Sequence, residues 1–79
     1  MFLNELDIGE KAAVKNIITD RNTDMRRLLD IGVTDGTEIK AVFKSPFGNP
    51  TAYLIKGTVF ALRNDISDKI IVERIENEN

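Results

Sequence analysis

The stretch MRRLLDIGVTDGTEI, residues 25–39, joins a helix to a tight turn and then to the start of a strand. Met25, Leu28 and Leu29 fall at i, i+3 and i+4, the spacing of one apolar stripe along a helix. Gly32 can adopt the left-handed conformation that commonly ends a helix. We therefore predict a short helix that ends at Gly32 and packs all three apolar side chains into a core.

The strand that begins after this turn has a regular alternation. One set of alternate residues is mostly apolar or small, and the set between them is mostly charged, which is typical of a half-buried strand. The alternation predicts that these side chains point inward: Thr37, Ile39, Ala41 and Phe43.

Four further segments are rich in β-branched and aromatic residues and indicate strands. They are residues 12–19, 51–56, 58–63 and 70–75. The parity of the first is imperfect, which predicts a bulge or burial on both faces. Short strands at such close spacing favour a closed or nearly closed sheet. We predict a mainly β fold, a small five- to six-stranded SH3-like barrel with one short α-helix between the first and second strands.

The chain length sets the domain organisation. Its 79 residues are enough for one small domain, which we place at residues 1–75. The polar end, residues 76–79, is expected to be a disordered tail.

The composition excludes several classes of function. The chain has no cysteine and no histidine, so disulfides, thiolate or imidazole metal sites and the commonest general base are absent. The net charge is −2, and the largest basic cluster is Arg26-Arg27, which disfavours nucleic-acid binding. No apolar run is long enough to insert into a bilayer, and the N-terminus lacks the features of a signal peptide. We expect a cytoplasmic protein.

Catalysis has little support in the sequence. Ser45 and Ser67 lack a neighbouring base, and the carboxylate pairs lie in polar turns or tails. Asp65 and Asp68 lack the ligand count of a calcium loop. We predict no enzymatic activity, no cofactor and no metal site.

The remaining candidates are binding residues. Phe47 lies in a loop bracketed by prolines, where it can either fold over the barrel mouth or anchor a partner. The arginines are either ordinary surface residues or a set that pairs with an acidic partner. The candidate partner-binding residues are Pro46, Phe47, Asn49, Arg26, Arg27 and Arg63.

Several stretches together resemble the FeoA family of small ferrous iron transport proteins. Residues 3–10 are similar to its opening L-x-x-L-x-x-G-E, and residues 27–39 to R-L-x-x-L-G-L-x-P-G-T-x-I. Residues 46–50 resemble P-x-G-x-P, and residues 60–63 resemble I-A-L-R. Val14 with Ile17, and Ile70 with Val72, complete the pattern. The departures are mild: Ile31 and Val33 replace leucines, Asp35 replaces proline and Ser67 replaces alanine.

The resemblance implies an accessory protein of bacterial ferrous iron uptake. The implied partner is the FeoB-type membrane GTPase transporter, bound through its cytoplasmic regions and regulated or assembled by this protein. An arginine finger contributed by Arg26, Arg27 or Arg63 is one mechanism to test. The alternatives are a regulatory module of an iron-dependent transcriptional regulator system and a ferrous-iron carrier, for which carboxylates and methionine are a poor ligand set. Weak self-association through an exposed strand edge beside residues 46–50 is an open alternative that the sequence does not decide.

Overall fold

The computed structural model describes residues 1–76, so most of the predicted tail, residues 77–79, lies outside the described residues. The five strands form one antiparallel sheet in the order β4-β3-β2-β1-β5. A 3-10 turn at Leu3–Glu5 precedes the elements β1 (Lys11–Ile17), α1 (Asn22–Ile31), β2 (Glu38–Lys44), β3 (Thr51–Ile55), β4 (Thr58–Leu62), α2 (Asn64–Ser67) and β5 (Ile70–Ile75). The fold is mainly β. The predicted helix between the first and second strands is α1, and the four-residue α2 is a further helix beyond that prediction.

One face of the curved sheet encloses the core. Alternate residues of the strands point to this face, as the sequence predicts. Leu3 of the 3-10 turn and Leu6 just after it are also buried there. The side chains buried there are Leu3, Leu6, Ala12, Val14, Leu28, Val33, Ile39, Ala41, Tyr53, Ile55, Leu62, Ile70 and Val72. The core is therefore small, and each large side chain in it carries a substantial share of the stability.

The helix α1 contributes less to this core than its sequence predicts. Leu28 is fully buried, whereas Met25 is half-buried and Leu29 is 54% exposed. The prediction that Leu29 is a core residue is therefore wrong. Successive residues are displaced by about 100° around a helix, so a helix that contacts the sheet along a narrow stripe buries one leucine of the pair and leaves the other at the surface.

Two bulges alter the register of the sheet. The irregularity expected in the first strand is confirmed by a register shift between Val14 and Asn16. A second shift lies between Ala41 and Phe43 of β2. An extra residue in one strand reverses the side-chain parity beyond it. Phe43 consequently lies on the outer face with 60% of its surface exposed, and the prediction that it points inward is wrong.

Gly32 ends α1 in the left-handed conformation, with φ of +99°. A β-carbon at this position would lie 3.1 Å from Cδ of Lys56, whose side chain crosses the end of the helix. At Gly36 φ is also positive, +86°, but a β-carbon would have no atom within 4 Å. A substitution at Gly32 therefore meets both backbone strain and a steric contact, whereas a substitution at Gly36 meets backbone strain alone.

Replacing Gly32 by alanine is expected to lower the free energy of unfolding by about 1–2 kcal/mol, since an L-residue is strained at positive φ and the new methyl displaces Lys56. Gly36→Ala should cost less, because it meets only the strain. Urea unfolding of both variants measures the difference. In a Lys56→Ala background the excess cost at Gly32 should disappear; an unchanged excess would show that Lys56 is not its cause.

Tyr53 lies at the centre of the core and is 1% exposed. The hydroxyl side chains of Ser67 in α2 and Thr51 in its own strand lie near its phenol. Burial raises the pKa of the Tyr53 phenol above its usual value of 10.0, while the two hydroxyl side chains act to lower it. The phenol therefore resists ionisation in the folded state.

Alkaline pH is expected to reveal this burial. The unfolded chain releases the phenol proton at about pH 10, whereas the folded chain holds it to higher pH. The contribution of Tyr53 to the free energy of unfolding is thus fully present below pH 10, and it is lost as the pH rises toward the folded pKa. Tyr53 is the single tyrosine, so phenolate absorbance reports on it alone. The absorbance should rise at higher pH in the native protein than in urea, and identical titration curves would contradict the assignment.

Candidate interaction surfaces

The outer face of β2, β3 and β4 carries an apolar surface. Thr51, Tyr53 and Ile55 of β3 are buried, so the residues between them point away from the core. Their partners on the neighbouring strands share this outer face. Together with Phe47 in the adjoining loop, these residues form what we call the outer patch: Phe43, Phe47, Ala52, Leu54, Val59 and Ala61.

The outer patch is open to solvent. Phe47 is 96% exposed and Val59 is 56% exposed, while Ala52 and Leu54 are half-buried by their neighbours. Isolated exposed apolar residues are ordinary, but apolar side chains paired on one face of a sheet, with an exposed phenylalanine in the adjoining loop, are typical of a contact surface. The patch therefore identifies the outer face as a candidate interface.

The loop that carries Phe47 is held by several hydrogen bonds. Gly48 N–H donates to Ser45 C=O at 2.8 Å, and Ser45 N–H donates to Pro50 C=O at 3.2 Å. From the start of α2, Asn64 donates its backbone N–H to Asn49 Oδ1 at 3.0 Å and its side-chain amide to Gly48 C=O at 3.2 Å. The exposed ring of Phe47 is thus presented by an ordered loop, which reduces the entropy that binding would cost.

The structure brings together four of the six predicted partner-binding residues. Pro46, Phe47 and Asn49 share the loop, and Arg63 directly precedes Asn64, which is bonded to that loop. Arg63 Nε lies 3.5 Å from Asp65 Oδ1, with both side chains largely exposed. Asn49 also acts structurally, because its side chain accepts the Asn64 bond.

Arg26 and Arg27 are exposed on α1. Within residues 1–76, no hydrogen bond or ion pair connects them to the loop. The predicted arginines therefore lie on two separate parts of the chain, Arg26 and Arg27 on α1 and Arg63 just before α2.

A second depression lies between α1 and β1. Its volume is about 320 Å³, and apolar side chains dominate its lining. The lining residues are Val14, Lys15, Asn16, Ile17, Met25, Leu29, Val33, Thr34 and Asp35. We call it the helix groove. The sequence reasoning missed it because Met25 and Leu29 were assigned to the core.

The outer patch was also missed, apart from Phe47, although the sequence contains a signal for it. In Thr58–Leu62 both parities are apolar, since Val59 and Ala61 alternate with Phe60 and Leu62. A strand that lies on a single core leaves one of its two apolar faces uncovered. Such a strand at the sheet edge therefore indicates an exposed apolar surface.

Several acidic and hydroxyl side chains that were considered for catalysis or metal binding have partners within the chain. Residues 1–76 contain no group of three or more carboxylates, histidines or cysteines that could hold a metal ion. Asp65 pairs with Arg63, and Asp68 Oδ1 lies 2.7 Å from Lys69 Nζ. Ser67 is fully buried beneath Tyr53. None of the described helices is long and apolar enough to cross a membrane.

The described residues form a small antiparallel sheet with an exposed apolar face and a hydrogen-bonded loop that carries an exposed phenylalanine. The family model for the FeoA domain matches residues 1–74, so the chain belongs to the FeoA domain family. No curated protein sequence matches the chain significantly.

Solved structures show the same likeness. FeoA from Chlorobium tepidum is 26% identical with a TM-score of 0.90, covering 100% of this chain and 74% of its own. A FeoA-like protein from Clostridium acetobutylicum is 32% identical with a TM-score of 0.87, covering 100% and 91%. FeoA from Stenotrophomonas maltophilia, solved with zinc, is 30% identical with a TM-score of 0.80, covering 92% and 89%. That protein is described as an SH3 domain protein suggested to act as a ferrous iron transport activating factor. The fold of this chain is thus SH3-like, and its family is associated with ferrous iron transport.

Proposed function

We propose that this protein is a non-catalytic cytoplasmic accessory protein of bacterial ferrous iron uptake. In this proposal it binds the cytoplasmic part of a FeoB-type GTPase transporter and regulates or assembles that transporter. The observation that carries the proposal is the match of residues 1–74 to the FeoA domain. The suggested role of the Stenotrophomonas maltophilia relative as an activating factor supports the same role here.

The outer patch is the surface we assign to this contact. Aromatic side chains dominate interface energetics when they enter a pocket on the partner, and Phe47 is almost wholly exposed on an ordered loop. Phe43 extends the apolar area across the neighbouring strand. The patch is thus an apolar centre that a partner can cover.

Two basic residues lie beside the outer patch although the chain as a whole is acidic. Lys40 lies opposite Leu54 on the outer face, and Arg63, which also pairs with Asp65, is adjacent to the loop-bonded Asn64. Polar and charged rims around an apolar centre are typical of protein interfaces. Charges of this sign would favour and orient an acidic partner surface.

A titration with the transporter's cytoplasmic region tests the proposal. The purified region is added to this protein in the GDP state and in a GTP-analogue state, and heat or fluorescence anisotropy is followed. We expect saturable binding in at least one state, weakened by added salt because of Lys40 and Arg63. No binding in either state, and none to the full-length transporter in detergent, would contradict the proposal.

A further inference from the structure

The two edges of the sheet differ in their protection. At β5, Phe2 forms an antiparallel bridge with Ile71, and Val72 N–H donates to Met1 C=O at 2.8 Å. The same strand carries the charged residues Glu73 and Arg74. Covering segments and charges are the devices that prevent an edge from pairing with another chain. The β5 edge is therefore blocked.

The β4 edge lacks these devices. Across residues 1–76, β4 pairs with β3 alone, and Thr58–Leu62 contains no charge, proline or glycine. The neighbouring Lys56, which could have guarded the edge, instead extends over Gly32 at the end of α1. This edge is open to strand addition.

The hairpin geometry identifies which backbone groups are unpaired. Lys56 and Gly57 form a two-residue turn with φ of +51° and +80°, closed by the pair Ile55 and Thr58. In such a turn the closing residues are hydrogen-bonded to each other. Bonding alternates along an antiparallel strand, so Thr58, Phe60 and Leu62 bond to β3. The N–H and C=O groups of Val59 and Ala61 point to the free edge.

We propose that two copies of this chain pair through β4 in an antiparallel, two-fold arrangement centred on Phe60. In this register Val59 of one copy lies opposite Ala61 of the other, and both free backbone pairs are used. Side chains directly opposite must share a face, and this pairing joins outer residues to outer residues. A large side chain also meets a small one on each side of the axis.

The flanking charges fit a second copy of the same strand. In this register Arg63 lies opposite Gly57 of the second copy, and Lys56 lies opposite Asn64, so no like charges face each other. Head-to-tail addition of β4 to β5 is prevented by the blocked β5 edge. The assembly therefore closes as a dimer and does not extend into a fibre. The paired sheets place two outer patches side by side, which goes beyond the proposed function and does not depend on it.

Sedimentation equilibrium of the wild type and Ala61→Pro tests the pairing. The Ala61 N–H serves only the free edge, so an edge-strand proline should leave the monomer folded while removing a bond needed by the dimer. We expect a reversible dimer in the wild type, weakened at least about tenfold in the variant, with unchanged circular dichroism. Val72 N–H points to the blocked edge, and bonding alternates along the strand, so the N–H of Arg74 faces that edge too. Arg74→Pro is therefore the position-matched control and should not weaken the dimer.

Cysteine cross-linking provides a second measurement that does not depend on the proline variant. The chain has no native cysteine. Val59→Cys and Ala61→Cys, mixed under mild oxidation, should form mixed disulfides, because opposite Cα atoms lie about 5.5 Å apart. Each variant alone should cross-link poorly, since like residues are then about 8–9 Å apart, beyond disulfide reach.

Three results would overturn the proposal. The first is a wild type that stays monomeric at millimolar concentration. The second is a dimer that Ala61→Pro does not weaken. The third is β4 amide protection that appears only when the transporter's cytoplasmic region is added, which would assign the edge to that partner instead.

Discussion

Replacing Leu28 by alanine is expected to lower the free energy of unfolding by about 3 kcal/mol. Leu28 is fully buried, and it is the one residue of α1 that is. Its removal leaves a cavity between the helix and the sheet and takes away the contact that holds the helix in place. Small domains are stable by only about 5 kcal/mol. A large fraction of the variant molecules should therefore be unfolded at moderate urea concentration.

Leu29→Ala is the matched control for this prediction. It deletes the same atoms from the neighbouring position, where the side chain is 54% exposed. We expect a loss of less than about 1 kcal/mol. Urea unfolding followed by circular dichroism measures both variants under identical conditions. Equal losses in the two variants would show that α1 packs with a different face toward the sheet.

Replacing Phe47 by alanine is expected to weaken binding to the transporter's cytoplasmic region by about ten- to a hundredfold, the range of an aromatic hot spot. The ring makes almost no contact within the chain, so its loss should not change the stability. Its effect should therefore appear in the dissociation constant alone. Calorimetric titration of wild type and variant, with thermal unfolding as the fold check, measures both quantities.

Two control variants decide which surface is used. Leu29→Ala removes an exposed apolar side chain from the helix groove, and Arg27→Ala removes an exposed charge from α1. Both should bind as the wild type does if the outer patch is the interface. A strong effect of Leu29→Ala with none of Phe47→Ala would move the interface to the helix groove. A strong effect of Arg27→Ala would instead support a role of the α1 arginines in binding, as in the arginine-finger hypothesis.

The strand positions could be predicted from local patterns because they depend on short-range periodicity. The helix end at Gly32 was also readable, since its positive φ needs a residue without a β-carbon. The alternation around Ile39 and Ala41 placed both side chains correctly in the core. The resemblance to the FeoA family rested on turn residues and apolar spacings, which are the features that determine this fold.

The orientation of individual side chains could not be predicted in the same way. Phe43 lies beyond a bulge, and a single extra residue reversed its direction. A bulge depends on how two strands pair, and the sequence of one strand does not specify it. The prediction for Leu29 is wrong for a related reason, because the width of the buried stripe depends on how the helix packs on the sheet. These two errors together concealed the outer patch and the helix groove.

The central claim is that the outer patch docks on the transporter. Backbone amide shifts of the isotopically labelled protein, recorded while the transporter's cytoplasmic region is added, test it most directly. We predict shifts and line broadening concentrated at Phe43, Phe47, Leu54, Val59 and Arg63, with α1 unchanged. An unchanged spectrum at saturating partner concentration, or changes confined to the helix groove, would contradict the account.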